Sequence, residues 1–304
     1  VKEQPAGRDR RTRALWPGLA LPGVGWLILF FLVPFYAVLA VAFGRLDPIF
    51  GNAVPVWNPV EWDTTVFGDV LDRVIGGELG EVYLRTFAYV GTALLLSFLI
   101  GYPVAYYVAR FGGRRRALLL GLILAPFWIN YLMRMLAWVN LLQEDGYVND
   151  VLSALHLTSE PINWLEGRSV TVIFGLVYGY IPFLVLPLFA ALDRIDRSLL
   201  EASRDLGMGP LRTFLRVTLP MSKQGLLAAA VITALPMMGD YYTADLLSGS
   251  PRTSMIGNQI EFFLFEGSQK NAGAALVVIL SILLMAGMAY YLIQTDRAAR
   301  ELRR

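Results

Sequence analysis

Cysteine is absent from the 304 residues, and histidine occurs once, as His156. The first absence excludes disulfides, thiolate nucleophiles and cysteine-based metal sites. The second leaves His156 without a companion ligand, so no metal site is expected. Lysine is nearly as scarce: Lys2, Lys223 and Lys270 are the whole set, and none follows a glycine. A Gly-x4-Gly-Lys-Ser/Thr phosphate loop is therefore missing, and the chain is not expected to be an ATPase. Charged residues make up only 16% of the sequence, with no basic stripe interleaved with aromatics, so no nucleic-acid partner is expected. No solenoid repeat, low-complexity tract or second soluble domain is present.

What fills the chain is apolar. Hydrophobic residues reach 56% and the mean hydropathy is +0.53, beyond the range of soluble domains. A span needs about 20 mostly apolar residues, and six runs qualify, at 19–43, 84–109, 117–142, 169–192, 225–246 and 272–294. The fold class expected is all-α, a polytopic membrane protein with six transmembrane helices. The expected division is a cytoplasmic N-terminal segment at 1–14, a membrane domain at 15–295 and a cytoplasmic tail at 296–304.

The net charge of +2 hides a strong segregation. Basic residues gather in 1–14, 110–116, 193–223 and 296–304, which together hold 19 of the 26. The intervening loops are acidic, with Asp47, Glu61, Asp63, Asp69, Asp72, Glu78 and Glu81 in the first and Glu144, Asp145, Asp150, Glu160 and Glu166 in the second. The positive-inside rule then puts both termini in the cytoplasm, consistent with an even number of spans. The first apolar run is too long for a signal-peptide core, so it is read as a span and not as a cleaved leader.

The polar stretch at 193–223 carries its own local pattern. Ser198 to Glu201 fits a capping box that starts a short helix. Gly207 and Gly209 can end it in the left-handed region, and Pro210 suits the first position of a second helix. In that second helix Leu211, Phe214 and Leu215 share one face and Arg212 and Arg216 another. On amphipathicity alone the face suits either a docking partner or the membrane interface.

The spacing of Glu201, Ala202, Ser203, Gly207, Leu219 and Pro220 resembles the EAA loop of ABC-importer permeases, Glu-Ala-Ala-x3-Gly-x9-Ile-x-Leu-Pro. Ser203 replaces the second alanine and Val217 the isoleucine. The likeness extends through Gly101-Tyr-Pro-Val-Ala-Tyr-Tyr-Val-Ala-Arg110, Pro126-Phe-Trp128, Arg134, Ala137-Trp138, Gly179-Tyr-Ile-Pro182 and Gly239-Asp-Tyr-Tyr-Thr243. These segments resemble permeases of the spermidine/putrescine branch, PotB type, in the bacterial inner membrane. The resemblance implies a type I importer in which this chain pairs with a second, related permease subunit, two cytoplasmic ATPases and an extracytoplasmic binding protein. It also implies that the 193–223 loop is a coupling element, and that ATP and Mg belong to the ATPase subunits, with no cofactor on this chain. Relatives in the branch also carry ferric iron, thiamine, opines or phosphonates. A stand-alone secondary transporter would need intramembrane relays or inverted repeats, and neither is evident.

Candidate solute contacts follow from the cost of intramembrane charge. Asp240 lies in or at the edge of the fifth run, beside Tyr241 and Tyr242. It suits a cationic solute, and it equally suits pairing with Arg134 or capping a broken helix. Arg134 has the wrong sign for a cation and reads as a structural ion pair or a residue of the external lip. Trp128, Tyr131 and Tyr178 are further path candidates, since aromatic faces attract ammonium groups.

Overall fold

The computed structural model describes residues 10–47, 49, 52–267 and 269–301. The terminal stretches 1–9 and 302–304, parts of the two expected cytoplasmic ends, lie outside the described residues. Helices dominate, in chain order α1 (Arg10–Leu27), α2 (Val33–Ala42), α3 (Thr65–Gly76), α4 (Glu78–Phe111), α5 (Arg116–Leu124), α6 (Tyr131–Leu141) and α7 (Tyr147–Ala154). They continue as α8 (Ser169–Asp193), α9 (Arg197–Asp205), α10 (Pro210–Thr213), α11 (Leu219–Met238), α12 (Tyr242–Leu247), α13 (Ile256–Glu261) and α14 (Lys270–Glu301). Among the described residues, five stretches are long and apolar enough to cross a membrane: Leu19–Ala42, Glu78–Phe111, Ser169–Asp193, Pro210–Met238 and Lys270–Gln294.

A sixth candidate is a bent pair of helices, apolar enough only when the two are taken together. In place of a straight helix over 117–142, Gly113–Trp128 and Tyr131–Leu141 meet at 85°. The cause is legible in the residues between them. Pro126 falls in the tight turn Ala125–Trp128, Ile129 is extended, and the Asn130 side chain accepts from Leu132 N at 2.9 Å, restarting the helix as an N-cap.

Proline also explains two widened segments. Ile28–Leu32, between α1 and α2, and Phe214–Thr218, between α10 and α11, are π-helical, and each ends two residues before a proline, Pro34 or Pro220. A proline has no N–H for the carbonyl four residues back, so the preceding residue reaches five back instead, Val33 N to Ile28 O and Leu219 N to Phe214 O. Pro210–Met238 is consequently one helix of 29 residues, and the fifth crossing begins 15 residues before the run expected at 225–246.

The chain divides into two compact units, 1–71 with 263–280, and 72–262 with 281–304. In the first, the loop after α2 folds back on that helix. Strands β1 (Arg45–Leu46) and β2 (Ala53–Val54) pair antiparallel, Val56 N bonds Ala40 O at 2.9 Å, and Phe43 stacks on Trp62 and Phe67 at 4.8 and 4.7 Å. In the second unit α4, α8 and α11 pack together around Tyr102, Ala105, Leu184, Leu188, Leu192 and Ala229. Small residues allow the close approach that membrane helices need without a hydrophobic drive between them. A methyl group on Gly101 would press on Leu184 and Val185, and one on Gly225 would run into Ala191. Leu95, Leu99 and Ile100 on α4 are exposed, as expected of a lipid-facing surface.

Candidate functional site

Two sites stand at opposite ends of the Pro210–Met238 helix. At its start lies the polar loop. α9 is capped by Asp196, whose Oδ1 accepts from Ser198 N at 3.0 Å, in place of the expected box from Ser198 to Glu201. The carboxylate sits one residue before the helix and reaches the second N–H directly. That bond holds the Asp196 carboxyl below the usual carboxylate range, so the cap stays charged at neutral pH. α9 ends as expected at Gly207, φ +79°, with Met208 N bonding Ser203 O at 3.1 Å and Gly207 N bonding Arg204 O at 2.8 Å. This is the paired closure that favours glycine. Gly209 is not left-handed; it is extended and caps α10, where Pro210 takes the first turn.

Ser203, one of the two departures from the EAA pattern, is buried and bridges the turn. Its Oγ donates to Leu200 O at 2.8 Å and lies 3.0 Å from Thr213 Oγ1. The expected face of Leu211, Phe214 and Leu215 is split. Phe214 turns inward, edge-on to Tyr102 and Tyr106 at 5.5 and 6.0 Å. Leu206 and Leu211 remain 80% and 70% exposed beside exposed Glu201, Ala202 and Arg204. Leu219 packs on the core of the second unit, and Pro220 is exposed.

The loop is tied to the membrane helices by charge. Arg110 at the end of α4 donates to Ile195 O and Leu192 O at 2.9 and 3.0 Å, satisfying carbonyls at the end of α8, where a cation also suits the helix dipole. Arg116 pairs with Asp193 and lies over Phe189 at 4.8 Å.

At the other end, the helix breaks at Gly239-Asp240-Tyr241. Asp240 is 5% exposed and its carboxylate is fully engaged: Oδ1 accepts from Thr243 N at 3.0 Å, and Oδ2 accepts from Tyr131 Oη at 2.7 Å and Thr243 Oγ1 at 2.5 Å. Asp240 therefore caps α12, one of the readings its position allows. The alternative of a direct pairing with Arg134 is not seen among the described residues, and one ring stands between the two charges. Tyr131 donates to Asp240 while the Arg134 guanidinium lies over its face at 5.2 Å.

Glycines set this geometry. A methyl group on Gly179 would lie 2.7–2.8 Å from Tyr131 Cε2 and Oη, and one on Gly257 would meet Asp240 O at 2.7 Å. Asn258 then braces the break, donating to Tyr241 O at 2.9 Å and Asp245 Oδ1 at 2.6 Å.

Of the expected path residues, Tyr131, Tyr178 and Asp240 form one cluster, around the intramembrane charge Arg134. Trp128 is 92% exposed and stands outside it, and Tyr241 and Tyr242 stack on each other at 4.1 Å. Sequence reasoning missed Thr243, Gly179, Phe127 and Asn258. Thr243 had a signal, an acceptor three residues before it; the need for Gly179 comes from the Tyr131 ring packed against it, which the sequence alone does not place there. His156, given no role, adopts φ +56° just beyond α7.

Residues 92–299 match the family described as binding-protein-dependent transport system inner membrane component. The chain is 35% identical to the spermidine/putrescine transport system permease protein PotB of Haemophilus influenzae over 85% of its length and 86% of the relative's. It is 34% identical to the protein of the same name from Escherichia coli K12, covering 86% and 90%. In fold it is similar to a chain of a bacterial alginate ABC transporter, solved with an alginate-pentasaccharide-bound periplasmic protein, with a TM-score of 0.73 at 17% identity over 97% and 98% of the two chains.

Proposed function

The chain belongs to the binding-protein-dependent transport system inner membrane components, and from that premise we propose that it is the permease subunit of an ATP-driven importer of polyamines. It is a multi-pass inner-membrane protein whose six crossings, counting the bent pair as one, leave both termini in the cytoplasm. The EAA-like loop from Glu201 to Pro220 docks on a cytoplasmic ATPase. A second, related permease subunit completes the pathway, a second ATPase completes the motor, and an extracytoplasmic binding protein delivers spermidine or putrescine, the solutes named for the relatives. ATP and Mg stay with the ATPases; this chain is not an enzyme and holds no cofactor.

The observation that carries this reading is the unbroken helix Pro210–Met238. At about 1.5 Å per residue its 29 residues reach roughly 43 Å, so one rigid element joins the exposed loop to the buried break at Asp240. A push at Leu211, delivered when the motor dimer closes, moves the far end as a body. The cap at Asp240 and the glycine contact at Gly257 are where that motion meets α12 and α13. Such a lever couples two states of the motor to two states of the pathway, provided each state has its own contacts. Asp240, Tyr131, Tyr178, Tyr241, Tyr242 and Trp128 supply the carboxylate and ring faces that a polyammonium ion requires.

The test is uptake of labelled spermidine in cells lacking this gene and any second polyamine route. Loss of uptake and its rescue by the intact gene support the reading, and uptake unaffected by the deletion overturns it.

A further inference from the structure

Arg134 is only 6% exposed, and its Nε and Nη1 have no hydrogen-bond partner among the described residues. Its guanidinium instead lies among three rings, 5.3 Å from Phe127, 5.2 Å from Tyr131 and 5.9 Å from Tyr178. The rings come from three places, the turn Ala125–Trp128, α6 and α8, and converge where the bent crossing changes direction by 85°. Three aromatic faces around one cation, with a carboxylate at 2.7 Å from the hydroxyl of one ring, make an ammonium-binding cage. Beside it, Trp138 and Phe174 pack on Tyr178. These two, with Leu142, Trp164 and Thr171, line a largely apolar cavity of about 260 Å³.

The geometry points to a subsite for one end of a linear polyammonium ion, occupied in this conformation by the chain's own Arg134. The cage takes the terminal ammonium, Asp240 supplies the countercharge through Tyr131, and the apolar cavity takes adjoining methylenes. Arg134 is a tethered competitor. A guanidinium anchored by hydrogen bonds would be a poor one, since it could not leave without breaking them. Here two of its three nitrogens make none, so a solute cation can displace it by a rotation of the side chain while the α6 backbone stays in place. The empty pathway is then never left with an unfilled, electron-rich cage, and monovalent cations, lacking the methylene contact, do not displace the plug. This inference rests on the polyamine reading above and adds to it the subsite and its occupant.

The experiment is equilibrium binding of labelled spermidine to the full transporter, both permease subunits with the ATPases, reconstituted in nanodiscs without the binding protein. Arg134→Gln is expected to bind at least fivefold tighter than wild type, whereas Arg134→Lys, which keeps a tethered cation, stays within about twofold. Equal or weaker binding by Arg134→Gln overturns the inference while wild-type binding leaves the polyamine reading standing. No binding of spermidine or putrescine by the wild-type transporter, together with normal uptake in the deletion strain, overturns both. Should Arg134→Gln fail to assemble, Phe127→Leu is read instead: weaker binding supports the cage and unchanged binding refutes it.

Discussion

Gly179→Ala is the substitution whose outcome the structure constrains most tightly. The added methyl would stand 2.7–2.8 Å from Cε2 and Oη of Tyr131, so the ring must retreat by about 1 Å to reach the ~3.5–4.0 Å optimum of non-bonded atoms. That displacement stretches the 2.7 Å bond from Tyr131 to Asp240 beyond hydrogen-bonding range. A bond to a charged group is worth about 1.5–3 kcal/mol. Against this, alanine gains about 1 kcal/mol over glycine in a helix interior, leaving a net loss of about 0.5–2 kcal/mol. Tyr131→Phe removes the bond without the helix gain and should cost the full 1.5–3 kcal/mol or so. In the Tyr131→Phe background the ring has no bond left to lose, so Gly179→Ala becomes neutral or favourable, a change of sign that additive effects cannot produce. The assay is the thermal midpoint of the detergent-solubilised transporter across the four variants. A Gly179→Ala effect of the same size and sign in both backgrounds would refute the reasoning.

Other substitutions separate the remaining parts of the account. Ser203→Ala should lower stability by about 1 kcal/mol by leaving the buried Thr213 hydroxyl short of a partner, and adding Thr213→Val should recover most of it; the thermal midpoint reads both. Gly207→Ala, at φ +79°, should cost about 1–2 kcal/mol in the same assay. Because the chain has no cysteine, single cysteines report topology without background. An impermeant maleimide added outside intact cells should label Glu160→Cys and spare Arg114→Cys, and the reverse pattern would invert the orientation.

Much of the fold was legible because lipid imposes long apolar runs, and those read directly from composition. The crossings at 84–109 and 169–192 recur as Glu78–Phe111 and Ser169–Asp193. What hydropathy could not convey is where an apolar run stops being one helix. Phe127 to Asn130 is apolar enough to pass as span interior, and only the pairing of Pro126 with a capping Asn130 marks the bend. The start of the fifth crossing was hidden for the opposite reason. Pro210–Met221 is too polar for a bilayer interior, yet backbone bonding continues through it, because a π-helical turn absorbs the missing N–H of Pro220.

At the sites, the turn at Gly207 was readable because glycine alone suits its backbone. Asp240 was visible as a costly charge, but its partners were not, since Tyr131 and Thr243 reach it from 109 residues away and from three. Long-range contacts of this kind depend on helix rotation, which periodicity in a uniformly apolar segment does not encode. The face of Leu211 and Phe214 failed for the same cause, since Phe214 packs on Tyr102 and Tyr106 of α4, more than 100 residues away in sequence.

The most direct test of the central claim is spermidine uptake into proteoliposomes holding this chain with its partner permease, the ATPases and the binding protein, comparing wild type with Gly207→Pro. ATP-dependent accumulation by the wild type, abolished in Gly207→Pro although the complex assembles at normal yield, is the expected result. Uptake that continues unchanged in Gly207→Pro would contradict the claim that the Glu201–Pro220 loop transmits the motor's work to the pathway.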